Sequence, residues 1–323
     1  MSHPGPPVDP ASLRVVSLPE QELFDAVVPH VTDFRCVLWD MVGEPEGCAR
    51  EEVDVAVAPY YSARWRMDPS VLRDVSLLQL QSTGYDGVPE LLGDGTALAA
   101  AGWVHAAGTA EIALGLILAA QRNLDRAVRQ QADGVYRQFF SRSLADSRVT
   151  VVGVGEIGRA VVARLEPFEV ELTRVASTAR EDERGRVHGI AELGEILPRT
   201  DVLVLALPLS DATRGLVGAE ALAALPDDAL VVNVGRGAVV DTVALSAEVC
   251  SGRLRCALDV VEPEPLPGDH PLMSARGSII APHVGGSNSS YLRRMRDLLL
   301  QQLAALRQGR APQFLASPGR LMI

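Results

Sequence analysis

VTVVGVGEIG, at residues 149–158, places three glycines directly after an apolar run. The run is typical of a buried strand, and a helical pattern follows the glycines. The first glycine permits a tight turn, the second lets the backbone approach a pyrophosphate, and the third lets the helix pack closely on the strand. The stretch therefore predicts a dinucleotide-binding turn with its phosphates at a helix N-terminus. The predicted cofactor contacts in this turn are Gly153, Gly155, Glu156, Ile157 and Gly158.

The chain around this turn has the pattern of a parallel sheet, because short apolar runs alternate with polar helical stretches. The strands predicted from the turn onward are Val149–Val152, Leu172–Ala176, Val202–Leu207, Leu230–Val234, Cys256–Val260 and Ser278–Ala281. Six strands in this arrangement fit the doubly wound dinucleotide-binding (Rossmann) sheet. The fold class is therefore predicted to be α/β.

The position of the glycines near the middle of the chain indicates that another domain precedes them. The strands predicted there are Leu13–Leu18, Cys36–Trp39, Val53–Ala58, Leu77–Leu80 and Ala97–Ala101. A last helix, Ser289 to Arg307, follows the sixth strand of the nucleotide domain and is expected to pack back on this first domain. We therefore predict a flavodoxin-like substrate domain at 1–108 and 287–323, with a dinucleotide-binding domain at 109–286 inserted into it and a cleft between the two.

A long helix is predicted to open the inserted domain. Thr109 has the residue type of an N-cap, and the helical pattern runs from Ala110 to Gln131 before Gly134 ends it.

Composition excludes several classes of protein. The formal net charge is -11, which argues against nucleic acid or an anionic membrane as a partner. All thirty basic residues are arginine, so Schiff-base and Walker-lysine chemistry are absent. The four cysteines show no metal-binding or disulfide spacing. No signal-peptide pattern is present, and the apolar stretch Ile112–Ala120 is too short to span a bilayer. We expect a soluble cytoplasmic protein without a metal.

The second strand of the nucleotide domain ends without the acid that binds the ribose of NAD. Ser177, Thr178 and Arg180 follow it instead, and hydroxyls with an arginine suit a 2′-phosphate. These residues predict NADP(H) as the preferred cofactor, with NAD(H) possible. The alternative is that Arg180 is a solvated loop charge.

Further motifs complete the pattern. They are Val232-Asn-Val-Gly-Arg-Gly237, Leu258-Asp-Val-Val-Glu-Pro-Glu-Pro-Leu266, Ala281-Pro-His-Val-Gly-Gly286, Ser82-Thr-Gly-Tyr-Asp86 and Thr109-Ala-Glu111. In this order, and with the glycine turn, the chain resembles the D-isomer-specific 2-hydroxyacid dehydrogenase family over nearly its whole length. Within that family it is most similar to the glyoxylate/hydroxypyruvate reductase-like members.

The resemblance implies three catalytic residues. Arg236 matches the arginine that binds the substrate carboxylate, Glu264 the acid that pairs with the catalytic histidine, and His283 the general acid/base. The chemistry suits these residue types, since a guanidinium binds a carboxylate in two bonds and a histidine titrates near neutrality. Glu262 is a rival for Glu264, which is preferred because the family acid stands five residues after the aspartate at the strand end.

The resemblance also implies further contacts. The cofactor contacts expected outside the turn and the ribose site are Thr109, Leu207, Pro208, Val234, Gly235, Asp259, Gly285 and Gly286. Thr83 and Gly84 resemble the loop whose backbone N–H groups meet the substrate carboxylate, beside Arg236 and His283. His105, His188 and His270 lack a strand-end position and are interpreted as structural.

The predicted function is hydride transfer between nicotinamide and C2 of a small 2-keto or 2-hydroxy acid, with glyoxylate or hydroxypyruvate as leading substrates. The family resemblance implies a homodimer with the helix Ala110–Gln131 in its interface. One alternative is a nucleotide-sensing binding protein without turnover. Another is a dehydrogenase for a dianionic acid, which requires Arg64 or Arg66, near Tyr60 and Tyr61, to face the substrate; a solvated loop is the favoured interpretation there.

Overall fold

The computed structural model describes residues 6–60, 69–72, 74–92 and 95–322. Arg64, Arg66 and Tyr61 lie outside the described residues. The chain divides into two compact units, which we call unit 1 (Met1–His105 and Ser289–Ile323) and unit 2 (Ala106–Asn288).

Unit 1 contains a six-stranded sheet. Its strands are β1 (Val15–Leu18), β2 (Arg35–Leu38), β3 (Val55–Val57), β4 (Leu77–Gln79), β5 (Ala97–Ala99) and β14 (Leu315–Ser317). The order is β14-β5-β4-β3-β1-β2, in which β1 to β5 pair in parallel and β14 is antiparallel to β5. The five parallel strands thus follow the flavodoxin-like order 2-1-3-4-5.

Helices accompany the sheet of unit 1. They are α1 (Gln21–Val27), α2 (Val88–Leu92) and α10 (Tyr291–Arg307). Apolar residues of α1 and α10, among them Leu23, Met295 and Leu299, pack with strand residues into one buried cluster. Another buried cluster contains Trp39 and Leu78. The last helix of the chain therefore completes a core that the first hundred residues begin.

Unit 2 contains an eight-stranded sheet. Its strands are β6 (Arg148–Val152), β7 (Glu171–Ala176), β8 (Arg180–Asp182), β9 (Gly185–Gly189), β10 (Val202–Leu205), β11 (Leu230–Asn233), β12 (Arg255–Leu258) and β13 (Ser278–Ile280). The order is β13-β12-β11-β10-β6-β7-β9-β8, and all pairs are parallel except β8 with β9. This is a Rossmann-type sheet, with its order reversing between β6 and β10.

The sheet of unit 2 has two strands more than the six predicted. Of the five residues of β9, Val187 is the only large aliphatic, and all three residues of β8 are charged and exposed. An apolar periodicity cannot reveal such strands. Residue Val187 is nevertheless buried, because β9 pairs with β7 at the position of the third Rossmann strand.

The helices of unit 2 flank this sheet. They are α3 (Ala106–Gln121), α4 (Leu124–Ala132), α5 (Glu156–Leu165), α6 (Leu193–Ile196), α7 (Ala219–Ala224), α8 (Thr242–Cys250) and α9 (Pro271–Ser274). Two large buried clusters form, one around α3 and α5 and the other around α7 and α8.

The prediction of one helix capped by Thr109 is wrong at both ends. Helix α3 already begins at Ala106, so Thr109 is inside it and is 6% exposed. The helix stops at Gln121, because Asn123 adopts a left-handed backbone (φ 51°) before α4 begins. An asparagine tolerates that conformation, which the helical pattern across 110–131 did not reveal.

The apolar segment around α3 is also longer than the sequence indicates. Among the described residues, one helical stretch, Gly102–Gln121, has the length and hydropathy to cross a bilayer, and 61% of it is buried in the fold. The expectation that this segment is too short to span a bilayer is therefore wrong. Burial of this extent is the arrangement of a core helix.

Candidate active site

The glycine turn contains two close backbone approaches. Gly153 has φ +101°, and a Cβ there would lie 2.4 Å from the carbonyl oxygen of Ala206. A Cβ on Gly158 would lie 1.7 Å from the carbonyl oxygen of Gly153. Larger side chains would therefore push α5 away from the end of β6.

Gly155 has the opposite surroundings. It is the N-cap of α5, is exposed, and has no atom within 4 Å of its ideal Cβ position. The N–H groups of the first helical turn point toward this open space. A dinucleotide pyrophosphate fits here, since the backbone allows close approach and the helix N-terminus favours negative charge.

The expected ribose contacts lie on one side of this turn. Ser177 and Thr178 are exposed directly after β7, and Arg180 is exposed on β8. Asp182, on the same face of β8 as Arg180, accepts a hydrogen bond from the buried Arg174 at 2.8 Å. This pairing is the first cause that keeps the pKa of Asp182 below its usual value, and it also neutralises an acid close to Arg180.

The loop after β11 carries Arg236 and is held by Asn233. The Asn233 amide donates to the carbonyl oxygen of Arg236 at 2.9 Å and accepts from the Gly235 N–H at 3.1 Å. Asn233 is 1% exposed. A Cβ on Gly235 would lie 2.5 Å from the carbonyl oxygen of Leu207, so the loops after β10 and β11 are in close contact. Sequence reasoning missed Asn233, although its position at the end of an apolar strand is a signal.

His283 and Glu264 form a direct pair. His283 Nδ1 lies 2.5 Å from Glu264 Oε1, and the two side chains are 47% and 41% exposed. The carboxylate accepts, so the histidine donates from Nδ1 and its Nε2 is left to face another group. The rival residue, Glu262, is exposed and is not the partner in this bond.

The backbone around His283 is fixed by Asp259. The Val284 and Gly285 N–H groups donate to the two carboxylate oxygens of Asp259 at 2.9 and 3.0 Å. His283 itself adopts a left-handed backbone, with φ 53°. A strained backbone conformation of this kind persists where hydrogen bonds from the surrounding structure hold it in place. Asp259, predicted to be a cofactor contact, is buried at 2% exposure and supports the histidine loop.

The charges of this site act on one another. The hydrogen bond to Glu264 raises the pKa of His283 above its ordinary value, although burial and the charge of Arg236 oppose this. Burial acts to raise the pKa of Glu264, but the hydrogen bond and charge of His283, with a backbone hydrogen bond from Val261 and the charge of Arg236, outweigh it and the pKa is lowered. The pair thus favours an imidazolium beside a carboxylate near neutral pH.

Unit 2 therefore brings Arg236, Glu264 and His283 to the carboxyl edge of one sheet, after β11, β12 and β13 respectively. Val234 is buried there, whereas Pro208 is exposed. Gly285 is buried against Thr109, whose Oγ1 would lie 3.3 Å from a Cβ at that glycine. The cofactor and catalytic roles of these residues stay predictions.

Thr83 and Gly84 belong to unit 1 and follow β4 at the carboxyl edge of its sheet. The Thr83 hydroxyl donates to the Gly102 carbonyl oxygen at 3.0 Å.

The three histidines interpreted as structural each form a hydrogen bond within the fold. His105 is 5% exposed, with its Nε2 2.6 Å from the Gln81 carbonyl oxygen. His188 contacts Glu192 at 2.8 Å, and His270 accepts from the Leu272 N–H at the start of α9.

Comparison with known proteins assigns the family. A family model described as D-isomer specific 2-hydroxyacid dehydrogenase, NAD binding domain, matches residues 114–285, more than half of the chain. A glyoxylate reductase of Thermofilum pendens is 30% identical over 76% of this chain and 75% of its own length. The human glyoxylate reductase/hydroxypyruvate reductase is 31% identical over 61% of this chain and 62% of its own length.

Among solved structures, a D-isomer specific 2-hydroxyacid dehydrogenase from Xanthobacter autotrophicus Py2, in complex with NADPH and MES, superimposes with a TM-score of 0.80. It is 26% identical, and the match covers 96% of this chain and 99% of that one. With an NAD(P)-binding Rossmann unit, a second parallel α/β unit and these relatives, the chain is an oxidoreductase that belongs to the D-isomer specific 2-hydroxyacid dehydrogenase family.

Proposed function

We propose that this enzyme is an NADP(H)-dependent reductase of a small 2-keto acid, with glyoxylate and hydroxypyruvate as its leading substrates. The observation that carries the proposal is the hydrogen-bonded pair His283–Glu264 near Arg236 at the carboxyl edge of a Rossmann sheet. The glyoxylate reductases among its relatives support the substrate class.

The chain's own residues have separate tasks in this reaction. Arg236 binds the substrate carboxylate and, beside the carbonyl, stabilises the charge that develops on its oxygen. The bound nicotinamide supplies a hydride for C2. His283 donates a proton from Nε2 to the substrate oxygen, and Glu264 holds the ring at Nδ1 and stabilises its charged form. Thr83 and Gly84 would meet the carboxylate with backbone N–H groups.

Preference for NADP(H) is supported by the residues after β7. Ser177 and Thr178 offer hydroxyls, Arg180 offers a guanidinium, and Asp182 is already paired with Arg174. A solved relative that is 26% identical to this chain is a complex with NADPH. A 2′-phosphate would therefore meet donors and a cation rather than an unpaired acid.

The experiment is a panel of keto acids assayed with NADPH and with NADH, following the absorbance of the reduced nicotinamide. We expect glyoxylate or hydroxypyruvate to give the highest kcat/KM, and NADPH to exceed NADH. Binding of NADPH without turnover of any acid would instead identify a nucleotide-sensing protein. A phosphorylated acid as the best substrate would favour the dianionic alternative.

We also propose that the enzyme is a homodimer. The segment after α4 exposes large apolar side chains: Tyr136 and Phe140 are 100% exposed, and Val128 in α4 is 64% exposed. Arg126 lies 4.5 Å over the ring of Phe139 and keeps this segment beside the helix. An apolar patch of this kind suits a protein interface.

Sedimentation should give twice the chain mass, and a Tyr136→Ser, Phe140→Ser double variant should sediment as a monomer. A monomeric parent protein would refute the proposal.

We further propose a cytoplasmic location. All four cysteines are free thiols, as expected in a reducing compartment. Recovery of the native enzyme outside the cytoplasmic fraction of its source cells would contradict this.

A further inference from the structure

The loop that follows β4 in unit 1 is tied down at consecutive backbone positions. The Gln81 carbonyl oxygen accepts from His105 Nε2 at 2.6 Å, which requires the proton of that ring to be on Nε2. The Ser82 carbonyl oxygen accepts from the Ala101 N–H at 2.9 Å. The path of the chain into Thr83 is therefore fixed before that residue is reached.

The loop itself is closed by its own hydroxyls. Ser82 Oγ donates to the Gly84 carbonyl oxygen at 2.7 Å, and the Thr83 hydroxyl reaches Gly102. Both hydroxyls are thus engaged with backbone oxygens. The loop can then offer a ligand its backbone N–H groups.

The side chain of Gln81 connects this loop to the ends of other elements. It is 2% exposed, and its Nε2 donates to the Ala58 carbonyl oxygen at 2.9 Å and to Glu20 Oε2 at 3.0 Å. Its Oε1 accepts from the hydroxyl of Tyr291. Glu20 follows β1, Ala58 follows β3 and Tyr291 begins α10. One buried amide therefore joins the carboxyl ends of three strands to the first turn of α10.

Ring stacking supports the same arrangement. The rings of Tyr60 and Tyr291 are 4.6 Å apart at their centroids, and each lies within 5.5 Å of the His105 ring, at interplanar angles of 11° to 23°. The Tyr60 N–H also donates to Glu20 Oε1 at 3.3 Å. The two groups that hold Gln81, the Tyr291 hydroxyl and His105, are thus packed against each other.

We propose that Gln81 is a positioning residue for substrate binding: it holds the loop 82–84 in the geometry in which its N–H groups receive the substrate carboxylate. This rests on the proposed function, in which Thr83 and Gly84 contact that carboxylate. A preformed loop lowers the entropy that binding must otherwise overcome, so Gln81 acts on substrate affinity through the loop.

The test is Gln81→Met, which keeps the length of the side chain and removes its hydrogen bonds. Glyoxylate reduction is measured with saturating NADPH, and oxamate is the non-reacting probe for the carboxylate site. We expect KM for glyoxylate and Kd for oxamate to rise about 10-fold, since small misplacements of binding groups have large effects. The kcat should stay within about threefold, and Kd for NADPH should not change, because the proposed function assigns this loop to the substrate and the glycine turn of unit 2 to the cofactor.

Gln79→Met is the matched control. Gln79 precedes Gln81 by two residues, is 1% exposed, and donates its amide to the Leu80, Ala99 and Ala100 carbonyl oxygens and accepts from Gln302. Its loss should lower Tm while leaving KM for glyoxylate within twofold. If both variants raise KM equally, Gln81 is merely structural and the proposal is wrong.

Tyr291→Phe keeps the ring stack and removes one bond to Gln81, so it decides the matter if Gln81→Met does not fold. KM for glyoxylate should rise in this variant, by less than in Gln81→Met. If the parent enzyme reduces glyoxylate but KM and the Kd for oxamate are unchanged in the variant, only the role of Gln81 is overturned. A parent enzyme that reduces no keto acid would instead overturn the proposed function.

Discussion

The sheets of units 1 and 2 both carry polar groups at their carboxyl edges, but the two edges treat these groups differently. In unit 1, Gln81 is buried, and its amide bonds to three other groups. In unit 2, His283 and Glu264 are nearly half exposed and form an ion pair when the imidazole is protonated. The buried edge is therefore suited to hold a backbone still, whereas the exposed edge is suited to exchange a proton with a ligand.

The two edges also differ in what supports them. Asp259 and Asn233, both buried, hold the backbone that carries His283 and Arg236. Each thus does for unit 2 what Gln81 does for unit 1. In the proposed reaction, these buried polar groups position the exposed side chains that react.

The largest expected effect comes from the exposed edge. His283→Ala should lower kcat about 1,000-fold, because a general acid contributes two to four orders of magnitude. The affinity for NADPH should change little, as measured by fluorescence titration. His270→Ala is the control: that side chain caps only the four-residue helix α9, and its loss should leave kcat intact. An unchanged kcat in His283→Ala would remove the functional difference between the two edges.

Arg236→Lys tests whether this edge needs a planar fork. A lysine keeps the charge but loses bidentate carboxylate binding, so kcat/KM for glyoxylate should fall about 100-fold. If kcat alone falls, while KM and the affinity for oxamate are unchanged, the assignment of Arg236 to the substrate carboxylate is contradicted. Steady-state kinetics and oxamate titration measure the two quantities.

Arg180→Ala tests the ribose site, which lies away from the reacting groups. We expect kcat/KM with NADPH to fall about 10-fold, because one charge-assisted contact to the 2′-phosphate is lost. The value with NADH should be unchanged. Arg184→Ala, at the tip of the same hairpin and paired with Glu166, is the control and should leave the preference intact. An equal fall in kcat/KM with NADPH and with NADH would mean that Arg180 does not bind the 2′-phosphate.

The smallest expected effect is a shift of pH dependence. Glu264 raises the pKa of His283, and reduction requires the protonated ring, so reductive activity is lost as the pH rises through that pKa. Glu264→Gln should lower this pKa and move the basic limb of reduction down by about one pH unit. The acidic limb of oxidation should move in the same direction, since oxidation requires the neutral ring.

Glu262→Gln is the matched control for this shift, because Glu262 is two residues away and exposed. Its pH profile should coincide with that of the parent enzyme. A shift in Glu262→Gln instead of Glu264→Gln would show that the wrong carboxylate has been chosen.

The central strands could be predicted within one or two residues, because strands buried on both faces are continuous apolar runs. Val202–Leu205 and Leu230–Asn233 are examples. Strands β8, β9 and β14 could not be predicted, because β8 and β9 consist mainly of charged, polar and glycine residues and β14 is only three residues long. The helix break at Asn123 was hidden for a related reason: a single left-handed residue does not interrupt an apolar periodicity.

Part of the candidate site could likewise be predicted from the sequence, and part depends on the fold. The residue types and their order could be predicted from the sequence, because Arg236, Glu264 and His283 each follow an apolar strand. The choice between Glu262 and Glu264 as the neighbour of His283 is decided by the path of a proline-rich loop, which the sequence does not specify.

The sequence by itself determined the α/β class, the glycine turn, the family and the set of candidate reactive side chains, since these depend on local periodicity and on spacing along the chain. Only the tertiary structure decided which buried amides and carboxylates hold those side chains. Gln81 meets Glu20 and Tyr291 across 61 and 210 positions of the chain, and Asp259 meets Val284 across 25. Such contacts form because parallel strands bring their carboxyl ends to one edge, where distant residues share the same buried space.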